Sequence, residues 1–123
     1  MEKKKIILVV EDTAEYQRIL SVKLAQFGYE VLSAHDGEEG LAMALEHHPD
    51  LILLDIVMPK MDGLAMLEKL REDSWGKDVR VIMLTNLSGT EKIADAMLHN
   101  SFEYIVKTDT TIEDLVKKIQ ESL

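Results

Sequence analysis

Apolar residues along this chain alternate between two patterns, short unbroken runs and stripes at helical spacing. The runs lie within the segments Lys4–Val10 (KKIILVV), Glu30–Ser33, Asp78–Leu84 and Phe102–Val106, and Leu51–Leu54 (LILL) is apolar throughout. A short apolar run closed by turn-forming residues, as at Leu51–Leu54, predicts a strand buried on both faces, and the other segments predict strands. Between the runs the period becomes helical. Tyr16, Leu20, Leu24 and Phe27 form a first stripe that Gly28 stops, and Leu41, Ala44 and Leu45 form a second. Leu64, Leu67 and Leu70 form a third; Ile93, Met97 and Leu98 a fourth; Ile112, Leu115, Val116 and Ile119 a fifth. Asp36 with Glu39, Ser88 with Glu91 and Thr110 with Glu113 read as capping boxes, and Asp62-Gly63 opens the third helix. Pro49-Asp50 breaks the second helix, and Glu72–Asp78 is a polar surface loop.

Strands alternating with helices five times predict an α/β fold with a parallel sheet and helices on both faces. Right-handed crossovers leave few topologies, and the flavodoxin-like doubly wound order 2-1-3-4-5 sets strands one and three side by side at the centre.

In such sheets chemistry gathers where the strands end. The residues just past the strands are Glu11 and Asp12, Asp55, Thr85 and Lys107. Three clustered carboxylates repel one another by about 4 kcal/mol per pair at ~4 Å in an effective dielectric near 20. A divalent cation relieves this, and an all-oxygen site suits Mg²⁺, with Mn²⁺ a second fit. A carboxylate can also attack a phosphoryl group and hold it as an aspartyl-phosphate. Asp55, ending the most apolar run, is the candidate nucleophile, with Lys107, the Thr85 hydroxyl and backbone N–H groups around the phosphoryl oxygens. Singly, each residue has a plainer reading. Asp12 with Glu15 fits a capping box, Glu11 a solvated loop acid, Asp55 a turn, Thr85 a strand-end hydroxyl and Lys107 a surface lysine. Five complementary groups supplied to one edge by four separate loops favour the site.

At 123 residues and 14.0 kDa the chain reads as one domain, 1–123. Its formal net charge of −9 argues against nucleic acid as a partner, since that needs a positive field. Without cysteine there is no thiolate metal site, and no segment has the length of a signal peptide's apolar core or a membrane span. The expectation is a cytoplasmic protein with no membrane partner. His35, His47, His48 and His99 are scattered rather than clustered for a transition metal, the methionines read as core filler, and Trp75 reads as half-exposed in its loop.

Glu11-Asp12 after an apolar strand, DIVMPKMDG from Asp55, Thr85 after VIML, and Tyr104-Ile105-Val106-Lys107 together resemble the CheY-like receiver domain of two-component response regulators. The likeness covers essentially the whole chain. It implies a stand-alone receiver in which Asp55 is the phosphoacceptor, charged from a histidine kinase or a histidine phosphotransfer protein. It implies Mg²⁺ held by Glu11, Asp12, Asp55 and the Val57 backbone carbonyl, a Thr85–Tyr104 switch, and Lys107 on the phosphoryl group. A downstream target would meet the face of the fourth helix, fifth strand and fifth helix, the protein being a monomer or a weak phosphorylation-dependent dimer. Its only catalysis would be its own phosphorylation and dephosphorylation. Two positions depart from the family pattern, Asn86 for a small residue and Thr108 for a proline that often follows a cis bond. A non-proline cis bond costs roughly 2.5–4 kcal/mol, so Lys107-Thr108 is expected to be trans, with both residues tuning the phosphate environment.

Three other functions compete. A phosphorylation-independent interaction module on the same fold would not need the intact five-residue set. An aspartate-nucleophile phosphohydrolase would carry a second acid where Val57 stands. A flavin carrier would not place Glu11-Asp12 where an FMN phosphate binds.

Overall fold

The structure, a computed structural model, describes residues 4–85, 103–107 and 110–123. Strands β1 (Ile6–Val10), β2 (Glu30–Ala34), β3 (Leu51–Asp55), β4 (Arg80–Thr85) and β5 (Glu103–Val106) form one parallel sheet in the order β2-β1-β3-β4-β5. Among the described residues four helices pack on it, α1 (Ala14–Gln26), α2 (Gly37–His47), α3 (Gly63–Glu72) and α4 (Ile112–Ser122). The helix expected from Ser88, with Ile93, Met97 and Leu98, lies outside the described residues.

The apolar runs of β1, β3 and β4 have a simple cause: successive side chains of a strand point to opposite faces, and both faces of these central strands are covered. By contrast, β2 and β5 at the sheet edges are partly exposed. Leu8, Val10, Ile52, Leu54, Val81 and Met83 face α2 and α3, packing with Ala44, Met66, Leu67 and Leu70. Ile7, Val9, Leu51, Leu53, Ile82 and Leu84 face α1 and α4, packing with Leu20, Leu24, Leu115, Val116 and Ile119. β3 is buried along its whole length. Among the described residues no helix is long and apolar enough to cross a membrane.

Helix ends follow local chemistry, with corrections. Asp36 accepts from the Glu39 N–H at 2.8 Å, and Asp62 from the Ala65 N–H at 2.8 Å, as N-caps should. The last helix is capped by Thr111, which accepts from the Asp114 N–H, one residue later than the Thr110–Glu113 reading. For α1 the cap position is Thr13, with no side-chain cap bond, so the Asp12–Glu15 box does not form. Phe27 is not on the inner stripe. It caps the C-terminus of α1 and is 50% exposed, while Gln17, Leu20 and Leu24 are the buried face. Leu45 is likewise exposed, and Gly37, Gly40 and Ala44 turn inward on α2. Trp75 is half-buried, as expected, and its ring stacks on His48 at 4.3 Å.

Candidate functional site at the carboxyl edge

The central position of β1 and β3 brings their ends together. Glu11 follows β1 and is fully buried, its N–H donating to the Ala34 carbonyl at 3.0 Å, which excludes a solvated loop acid. Asp12 beside it is exposed, and Asp55, the last residue of β3, is 7% exposed. One carboxylate oxygen from each of Glu11, Asp12 and Asp55 lies within 4.8 Å of the other two.

Lys107 follows β5 at the far side of this cluster. Its Nζ donates to Glu11 Oε2 at 2.7 Å and sits 3.6 Å from Asp55 Oδ2. The same ammonium lies 4.4 Å from the centroid of the Tyr16 ring, on the first turns of α1. Thr85 ends β4 in register with Val106. The expectations for the Thr85 hydroxyl, for Asn86, and for Thr108 with its peptide bond lie outside the described residues. Tyr104, in register with Met83, is 37% exposed.

The DIVMPKMDG segment is a tight loop that returns directly to the strand end. Gly63 N–H donates to the Ile56 carbonyl at 2.8 Å, and Met61 N–H to that of Pro59 at 2.7 Å. A Cβ on Gly63 would collide with the Asp55 carbonyl oxygen, and one on Gly37 with that of Met61, so both glycines permit close approach. Lys60 adopts a left-handed φ of 65° and reaches Asp36 at 3.7 Å. The Val57 backbone N–H hydrogen-bonds the Asp55 carboxylate, and the Val57 side chain is exposed.

Burial raises the Asp55 carboxyl to about 7, Glu11 reinforces this, and Lys107 and the Val57 N–H only partly offset it. With Asp55 ionised, three carboxylates stand against one ammonium, an excess of negative charge. An oxygen-only donor set with that excess and one exposed member fits a hard divalent cation.

The structure thus places Glu11, Asp12, Asp55 and Lys107 in one cluster, as their positions past the strands predicted. Two neighbours of the site were not apparent. Gln17 is buried and donates its amide to the carbonyls of Ala34 at 2.7 Å and Glu11 at 3.4 Å, holding the two strand ends together. A polar residue at the i position of Gln17, Leu20 and Leu24 was the available signal. Tyr16, read as part of the core stripe, does pack against the α1–α4 core, and its ring also covers Lys107.

The description "Response regulator receiver domain" matches residues 7–120. A "Probable transcriptional regulator ycf27" of Porphyridium aerugineum is 44% identical over 107 residues, 87% of this chain and 43% of that protein. The chain thus spans about two-fifths of the length of curated relatives it matches. The chemotaxis protein CheY4 of Vibrio cholerae superposes with a TM-score of 0.89 at 31% identity, covering 98% of this chain and 100% of that one. CheY in the CheX–CheY–BeF3–Mg²⁺ complex from Borrelia burgdorferi gives 0.84 at 29% identity, over 96% and 88%. With its sheet order, its acidic cluster and these likenesses in agreement, the chain belongs to the response regulator receiver domain family.

Proposed function

We propose that Asp55 accepts a phosphoryl group from a phosphohistidine on a histidine kinase or phosphotransfer protein, and that the 123 residues act as one receiver unit in the cytoplasm. The observation that carries this is the Asp55 carboxylate, buried at the end of the central strand and clustered with two acids and the Lys107 ammonium. An Asp55 oxygen attacks phosphorus in line with the donor nitrogen. The O–P bond forms as the N–P bond breaks, and the nitrogen keeps the electron pair; the donor ring carries a proton on its other nitrogen, so it leaves as neutral imidazole. Glu11, Asp12, Asp55 and the Val57 carbonyl would hold Mg²⁺ or Mn²⁺, which supplies charge neutralisation at the phosphoryl oxygens. Lys107, already 3.6 Å from Asp55, faces those oxygens from the other side.

The Borrelia relative, crystallised with BeF3 and Mg²⁺, supports this assignment by likeness. In the same reading Thr85 and Tyr104 form the switch that reports the phosphoryl group to the face around β5 and α4, where a protein target binds. Asn86 and Thr108 border the phosphate and set how readily donor and water reach it. The module signals rather than turning over a substrate. Where it forms part of a longer protein, like the relatives named as transcriptional regulators, the target would include an output region of the same chain.

The test is incubation with acetyl phosphate and Mg²⁺, followed by intact mass measurement on wild type and Asp55→Asn. The expected result is one added phosphoryl group on wild type and none on the variant. Equal labelling of both, or labelling of neither, overturns the assignment, and sustained release of phosphate from generic phosphoesters would indicate a hydrolase.

A further inference from the structure

Tyr16 lies beside the site without belonging to its acid–lysine set. Its ring is half-buried between the α1–α4 core and the carboxyl edge. Burial, with the nearby Glu11 and Asp55 charges, holds its phenol above the usual range. The Lys107 ammonium sits 4.4 Å from the ring centroid while donating to Glu11 at 2.7 Å and lying 3.6 Å from Asp55. The ring face and the two acids therefore define one position for a side chain that has four rotatable bonds and costly freedom to lose.

We infer that Tyr16 is a positioning residue for phosphorylation, its ring face holding Lys107 over Asp55 when a cation draws the acids' charge away. The inference rests on the phosphoacceptor reading of Asp55. A divalent cation competes with Lys107 for Glu11 and weakens that pair. The attraction of ammonium to the ring quadrupole does not depend on the acids' charge, so it persists in the cation-loaded state. Without the ring, Lys107 is left to solvent at the moment its charge is needed at the phosphoryl oxygens.

Tyr16→Phe keeps the ring, and Tyr16→Leu keeps apolar bulk against the core without it. At saturating Mg²⁺, Leu is expected to slow acetyl-phosphate labelling of Asp55 by about 3- to 10-fold, and Phe to restore the wild-type rate. Mg²⁺ affinity, read by titration of amide NMR shifts, is expected to be no weaker in Leu than in wild type. The Lys107 Hε resonances carry an upfield ring-current shift in wild type and Phe that Leu lacks. Equal labelling by Leu and Phe overturns the positioning role, and so does parallel loss in both, which would assign the effect to the hydroxyl. If wild type is not labelled at all while the ring-current shift is present, the phosphoacceptor reading fails and the positioning role falls with it, leaving a structural contact.

Discussion

The Asp55 carboxyl binds its proton up to about pH 7 because burial and then the Glu11 charge oppose ionisation. Unfolded, it would titrate near the ordinary 3.8. A carboxyl with a raised folded value binds more protons folded than unfolded, so its contribution is most favourable below the unfolded value and is lost as pH rises through the folded one. Ionised Asp55 is thus a stability cost at neutral pH, retained for its chemistry. Asp55→Asn removes that cost. In metal-free buffer at pH 8 the variant is expected to be more stable than wild type by about 1–2 kcal/mol, a value discounted for the open, solvated edge. The advantage should shrink steadily from pH 7 and vanish near pH 4. Urea unfolding midpoints across that range check it, and a pH-independent difference would exclude Asp55 titration as the source.

The loop from Ile56 to Asp62 and the start of α3 carry the carboxylate's position. The Gly63 N–H bonds back to Ile56, Asp62 caps the helix, and no room remains for a Cβ between Gly63 and the Asp55 carbonyl. Gly63→Ala must push the loop off the strand end. It should cost about 1–3 kcal/mol and also weaken Mg²⁺ binding, since it moves Asp55. Gly28 is the control, with a left-handed φ of 90° and nothing within 4 Å of a built Cβ. Gly28→Ala should cost about 1–2 kcal/mol from backbone strain and leave Mg²⁺ affinity unchanged. Urea melts and a Mg²⁺ titration on both variants separate the two effects.

At the scale of the whole molecule, the sheet divides the described interior into two cores, and among the described residues these share no side chain. Ile52 belongs to the α2–α3 side and Ile119 to the α1–α4 side. Ile52→Val and Ile119→Val should each cost about 0.5–1.5 kcal/mol, and the double variant their sum within about 0.5 kcal/mol. Chemical denaturation of the three variants measures this, and a marked shortfall would mean the sheet transmits strain between its faces. The same division lets the ends of β1, β3 and β5 bring Glu11, Asp12, Asp55 and Lys107 together at one edge while the central strands stay buried on both faces.

Strand identity, sheet order and the Glu11, Asp12, Asp55 and Lys107 cluster were legible from the amino-acid order. Apolar runs, helical periods, the Asp36 and Asp62 caps and the strand ends are signals spanning a few residues. The parallel topology then sends every strand end to one side. Tertiary structure alone decided the rest. It set the rotation of α1, which buries Gln17 rather than Phe27 and lays Tyr16 over Lys107. It also paired Lys107 with Glu11 across 96 positions of chain and withheld Asp12 from capping. Helix phase and long-range ion pairs are settled when layers pack, because burial and charge depend on neighbours that the local order of residues does not contain.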